Sequence, residues 1–221
     1  MAINKHIINT SDSWGNLFAI LQENATNFFD SIEIDNNDKI TCKVGEDTAL
    51  IIHSGSTNNG LYDFYTKNGN HQTITGLTPT YVVITSKGIV IHSNTSSEYI
   101  PTELFICKTN NGDLAFACLG VYYSGSYYYK RFWSIDYENT PNIGEFLSNS
   151  DNTNNLWPAL SPFRGDSVKK TTFNPILCYQ AESHLDGVYQ LVANQYYNVS
   201  GTIIDSDGHK YFTNGCLALA E

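Results

Sequence analysis

The residue types that could do chemistry are few and scattered. Of the six histidines, His53 and His92 share a local pattern, LIIHSG and IVIHSN, a histidine after an apolar run with serine next. Brought to one end of a sheet, they would form a ligand pair or an acid/base pair. The competing reading is two strand-end histidines satisfied by backbone or solvent. Glu98, Glu103, Asp136 and Glu138 could supply the two carboxyl groups of glycoside hydrolysis, which need a separation of roughly 5–9 Å. Asp205-Ser206-Asp207-Gly208 and Asp35-Asn36-Asn37-Asp38 place oxygen ligands of the kind hard cations prefer within short turns. Neither completes an EF-hand loop, and Asp-Gly in a hairpin is explained by turn geometry alone. The chain holds no GxSxG elbow, HExxH, Walker loop or GxGxxG. These residues assign no catalytic group, no cofactor and no metal.

Cys42, Cys107, Cys118, Cys178 and Cys216 form no CxxC pair, and each lies in an apolar run such as LFICK or AFACLG. They read as small buried hydrophobes rather than as nucleophiles or a disulfide framework.

Aromatic residues are concentrated in GVYYSGSYYYKRFWSIDYEN, 120–139. On a strand, Tyr127, Tyr129, Arg131 and Trp133 would share one face, and Tyr128, Lys130 and Phe132 the other. Tyrosine and tryptophan offer flat apolar area with a polar tip, which suits sugars and protein interfaces alike. Tyr127, Tyr128, Tyr129, Trp133 and, in a later loop, Trp157 are therefore the candidate contact residues. The competing reading is a core strand whose ends reach solvent.

The elements that must position these groups are legible in the periodicity. Trp14, Leu17, Phe18, Leu21, Ala25, Phe28 and Phe29 fall at helical steps of three and four, and Ser11, Asp12 or Ser13 can cap the start. This apolar face is either an assembly surface or the cover of an open sandwich side. Afterwards the period becomes two. Runs such as TALIIHS (48–54), LYDFYT (61–66), TYVVITS (80–86), ELFICKT (103–109) and DLAFACLG (113–120) alternate with Gly- and Asn-rich joints. Asn68-Gly69, Asn111-Gly112, Asp207-Gly208 and Asn214-Gly215 predict two-residue type I′ hairpins. The pattern predicts an all-β antiparallel sandwich or barrel with one N-terminal amphipathic helix. Residues 1–32 read as a helical segment and 33–221 as a single β domain, with two lobes as an alternative. An irregular excursion at 139–170 carries Pro141, Pro158 and Pro162, three of the chain's 6 prolines.

The charge balance narrows the partners. With 22 acidic and 12 basic side chains, the 221-residue chain carries −10, which argues against nucleic acid. Charged residues are only 15% of the chain, and 24 asparagines stand in their place. No run approaches the roughly 18 apolar residues of a membrane span. The opening MAINKHIINTSDSW has no apolar core of a signal peptide, so synthesis in the cytoplasm is expected.

The closing segment, GVYQLVANQYYNVSGTIIDSDGHKYFTNGCLALAE, resembles the final hairpins of bacteriophage or prophage virion proteins, particularly tail, baseplate and receptor-binding components. The Asn/Thr/Tyr/Gly-rich composition after a short N-terminal helix is similar to theirs as well. The resemblance implies a structural protein that assembles with copies of itself and with other virion proteins, and it carries no functional residue with it. Three functions stay open. The first is a non-enzymatic assembly protein of a phage particle. The second is a carbohydrate-binding β-sandwich reading cell-surface glycan through exposed Tyr and Trp. The third is a carboxylate-dependent hydrolase beside the 139–170 loop.

Overall fold

The computed structural model describes residues 2–9, 11–54, 60–75, 78–93, 102–124, 127–138, 146–147, 173–177, 184–191, 201–205, 207–213 and 217–221. A strand not foreseen in the sequence, β1 (Asn4–Ile7), precedes the helix α1 (Ser13–Asn24). Asp12 caps α1 by accepting from the Gly15 N–H, and the Ala25 N–H closes the other end on the Leu21 carbonyl. Five strands then form one antiparallel meander: β2 (Ser31–Ile34), β3 (Ile40–Val44), β4 (Asp47–Ser54), β5 (Gly60–Tyr65) and β6 (His71–Thr75).

The remaining strands belong to a larger sheet: β7 (Pro79–Ile84), β8 (Ile89–Ser93), β9 (Thr102–Thr109), β10 (Leu114–Ser124), β11 (Tyr127–Asp136), β12 (Phe146–Leu147), β13 (Phe173–Leu177), β14 (His184–Leu191), β15 (Gly201–Ile204), β16 (Lys210–Thr213) and β17 (Leu217–Ala220). Its path runs β1-β7-β8-β9-β14-β17-β16-β15, with β10 and β11 on the other edge of β9. Among the described residues every pairing is antiparallel, and the fold is all-β with a single helix. β8 pairs with Thr102–Ile106 of β9, and β14 pairs with Lys108 and Thr109 further along the same strand. The sheet therefore splits at β9, and its β14–β17 arm folds over one face.

Two larger cores result, one on each side of β7–β10, beside a small cluster of Ile203, Tyr211 and Ala218 on the β14–β17 arm. The first holds Leu17, Leu21 and Phe29, the inward residues Ile40, Leu50, Ile52, Tyr62 and Phe64 of the five-stranded sheet, and Val82, Ile91, Leu104 and Phe116. The second holds Val83, Val90, Phe105 and Ala117 against Val188, Phe212 and Leu219 of the folded arm. Successive residues of one strand thus enter different cores, which is why β7–β10 read as unbroken apolar runs. β5 instead buries Tyr62 and Phe64 and turns Leu61, Asp63 and Tyr65 outward. That alternation leaves the outer face of the five-stranded sheet mixed, with Asp63 among Ile51, Leu61 and Tyr65.

The N-terminal segment is not a separate unit. β1 pairs with β7 and α1 packs into the first core, so the boundary expected near residue 32 falls inside β2. The hairpins also differ from expectation. At 66–70, 109–113 and 205–209 the loop has three residues, closed by Gly69, Gly112 and Gly208 at positive φ. Type I′ turns need positive φ at two successive positions, and Asp38 is the one described non-glycine residue that has it. The cause is the residue before each turn. Thr109 and Asp205 accept backbone N–H groups from the loop and from the residue that closes it, and Thr66 accepts from the closing Asn70, which favours a type I turn with a glycine bulge. Asn214-Gly215 lies outside the described residues.

Candidate functional site

Three adjacent strands bring polar side chains together on the outer face of the five-stranded sheet. Asp63, central in β5, faces Ile51 of β4 on one side and Thr73 of β6 on the other. His53 of β4 and His71 of β6 lie diagonally to it. His53 Nε2 stands 3.0 Å from Asp63 Oδ2, and His71 Nε2 stands 3.2 Å from Oδ1. The Thr73 hydroxyl donates to the same Oδ1 and lies 3.3 Å from His71 Nε2. The His71 ring stacks on Tyr65 with centroids 4.5 Å apart.

The Asp63 carboxylate is largely covered, while the His71 side chain is 45% exposed. Burial pushes the Asp63 carboxyl up, but the hydrogen bonds from Thr73, His53 and His71 outweigh it and hold it below the usual carboxylate range. A second carboxylate, Asp35, lies within electrostatic reach of His53. One anion flanked by two imidazoles can share protons, order the three strands or present nitrogen and oxygen donors to a cation.

His53 and His92 are not brought together. His92 belongs to β8 and faces the second core, where its ring stacks on Tyr81 at 4.2 Å and its Nδ1 lies 3.5 Å from the buried Glu103 carboxylate. His53 faces outward from the other sheet.

The carboxylates weighed for hydrolysis also part company. Glu103 pairs with Leu119 of β10, whereas Asp136 pairs with Ala115, four residues along and on the far strand. At about 3.4 Å per residue that offset alone is about 14 Å, beyond the acid pair spacing. Glu138 is bound to Lys67 at 2.6 Å, and Glu98 lies outside the described residues.

Asp205, Asp207 and His209 bring ligand-type atoms within 4.8 Å of one another. The Asp205 oxygens are already taken. Oδ1 accepts the Asp207 and His209 N–H groups, and Oδ2 meets His209 Nδ1 and the Tyr211 hydroxyl. Burial would raise this carboxyl, yet those bonds, the His209 N–H foremost, bring it down to about 2. Asp35 makes the same turn with the Asn37 and Lys39 N–H groups. Both acidic turns are therefore accounted for by hairpin closure.

The aromatic candidates fare differently. The backbone of β11 pairs with β10 so that Tyr128 meets Tyr123 and Tyr129 meets Tyr122. The side chains of Tyr127, Tyr128, Tyr129 and Trp133, and all of Trp157, lie outside the described residues. On the helix, Leu17 and Leu21 are fully buried in the first core with Trp14 and Phe18 half-buried against it, whereas Ala25, Phe28 and Phe29, expected on the same helical face, lie beyond the helix end at Asn24 and reach the core from the turn that follows. That face covers the open side of the sheets, the alternative to an assembly surface.

Cys42, Cys107 and Cys118 are buried free thiols, and burial raises Cys42 and Cys118. Cys178 and Cys216 lie outside the described residues. Among the described residues no helix is long and apolar enough to cross a membrane.

Compared with protein-family models, with curated proteins and with solved structures, the chain finds no match.

Proposed function

We propose that the protein is a non-enzymatic structural component of a phage or prophage particle, tail- or baseplate-associated, acting through protein–protein contacts. One observation carries the reading. The closing segment, which bears the resemblance to virion proteins, folds as the meander β15–β16–β17, and it ends on an outer strand, β15, whose Ile204 is 58% exposed. At the opposite end of the same sheet path β1 presents Ile7, 70% exposed. An outer strand, among the described ones, that bears a bare apolar side chain offers a pairing surface to another chain. The filled cores on both faces of the central strands make a scaffold that suits this role.

Light scattering on the purified chain between about 1 and 100 μM, a range that spans ordinary assembly affinities, tests it. A defined oligomer is expected, dissociated by Ile204→Lys or Ile7→Lys while the circular dichroism spectrum is unchanged. A monomer at every concentration, from a gene without tail or capsid genes beside it, overturns the reading.

A further inference from the structure

We propose that His53, Asp63 and His71 form a binding site for a divalent metal ion of the zinc class on the outer face of the five-stranded sheet. The donor set is two imidazoles and one carboxylate, a combination that suits Zn²⁺ and its neighbours rather than Ca²⁺ or Mg²⁺. Neighbouring ligands of a tetrahedral zinc lie roughly 3.3 Å apart, given bonds of about 2.0–2.1 Å. Two of the three spacings required are nearly in place, at 3.0 Å for His53 and 3.2 Å for His71, each to its own oxygen of Asp63. An ion seated across both oxygens replaces the shared protons as the link between the rings and the carboxylate.

As the rings stand, the ligand atoms of His53, Asp63 and His71 are not all within 4.8 Å of one another, so the third spacing requires one ring to turn toward the other. His71 is the ring able to move, since its side chain is 45% exposed and it sits on β6, the outer strand of this sheet. Asp63 and Asp35 both give His53 a negative surrounding that favours a cation. The two ring nitrogens and the two carboxylate oxygens, from three adjacent strands, supply four donor atoms. A metal takes each ring at Nε2 and leaves the ring proton on Nδ1.

Titration calorimetry with Zn²⁺ at pH 7.5 tests the site on the whole chain and on His53→Gln, His71→Gln and His209→Gln. Glutamine keeps an N–H donor for Asp63 and removes the ligand nitrogen, so it separates a hydrogen bond from a metal bond. One equivalent is expected to bind the unaltered chain. The His53 and His71 variants weaken binding more than roughly tenfold, since losing a ligand costs more than losing a hydrogen bond behind it. His209→Gln leaves binding intact.

No binding overturns the site, as does equal affinity in the His53 and His71 variants, or loss with His209→Gln alone. Imidazole ¹⁵N resonances of the unaltered chain decide the same question if a variant does not fold. Zinc must shift two rings other than that of His209, and a shift of none or of His209 alone refutes the proposal.

Discussion

The Tyr62 hydroxyl and the Ser93 hydroxyl meet at 2.8 Å with both residues fully buried, and the bond joins the five-stranded sheet to the larger one. Tyr62 lies inward on β5, one position before the outward Asp63, so the same alternation that fills the first core displays the histidine-flanked carboxylate. Burial raises the Tyr62 hydroxyl more than its bond to Ser93 lowers it, so it stays protonated throughout the neutral range.

Removing either partner strands the other in the core. Tyr62→Phe and Ser93→Ala are each expected to destabilise the fold by about 1–3 kcal/mol, the cost of an unsatisfied buried polar group. The double variant should cost less than the sum, because no orphan hydroxyl remains. Urea unfolding of the four proteins measures the coupling. Additive losses would mean that the contact contributes nothing.

The elements were legible in the sequence and their pairing was not. Steps of three and four from Trp14 mark α1, and period-two runs mark most strands, because local burial writes itself into local pattern. β1 and β2, four residues each, are too short to show a period. The cluster at Asp63 depends on register. A two-residue loop at Asn68-Gly69 would set Asp63 opposite Ile74, whereas the three-residue loop sets it opposite Thr73. That single residue of slip decides which side chains face the carboxylate, and it is settled by the Thr66 hydroxyl accepting from the Asn70 N–H. His53 and His92 looked alike because each follows an apolar run. Only the assignment of their strands to different sheets tells them apart.

Gly69 and Gly187 share a φ of +76°, but their surroundings differ. An added Cβ at Gly69 meets nothing within 4 Å, while at Gly187 it would lie 2.4 Å from Lys87 Cβ, where the β7–β8 turn abuts β14. Gly69→Ala should therefore cost only the left-handed backbone penalty, about 1–2 kcal/mol. Gly187→Ala carries that penalty plus overpacking of about 1–3 kcal/mol. Denaturant midpoints of the two variants give the difference directly. Equal losses would show that β14 can draw away from the β7–β8 turn without cost.

Acid should loosen the hairpins through their aspartates. An aspartate of an unfolded chain titrates near 3.9, whereas Asp205 is brought down to about 2 in the fold and Asp63 is lowered as well. A folded value below the unfolded one means that the stabilisation is complete above about pH 4 and is lost as pH falls toward 2. Asp205→Asn keeps an oxygen to accept the Asp207 and His209 N–H groups but has no proton to take up. Its melting temperature should lie below that of the unaltered chain at pH 6, decline less steeply between pH 5 and 2, and approach it at the acid end. A variant whose curve runs parallel to the unaltered one would show that the carboxylate of Asp205 is not what holds the β15–β16 hairpin.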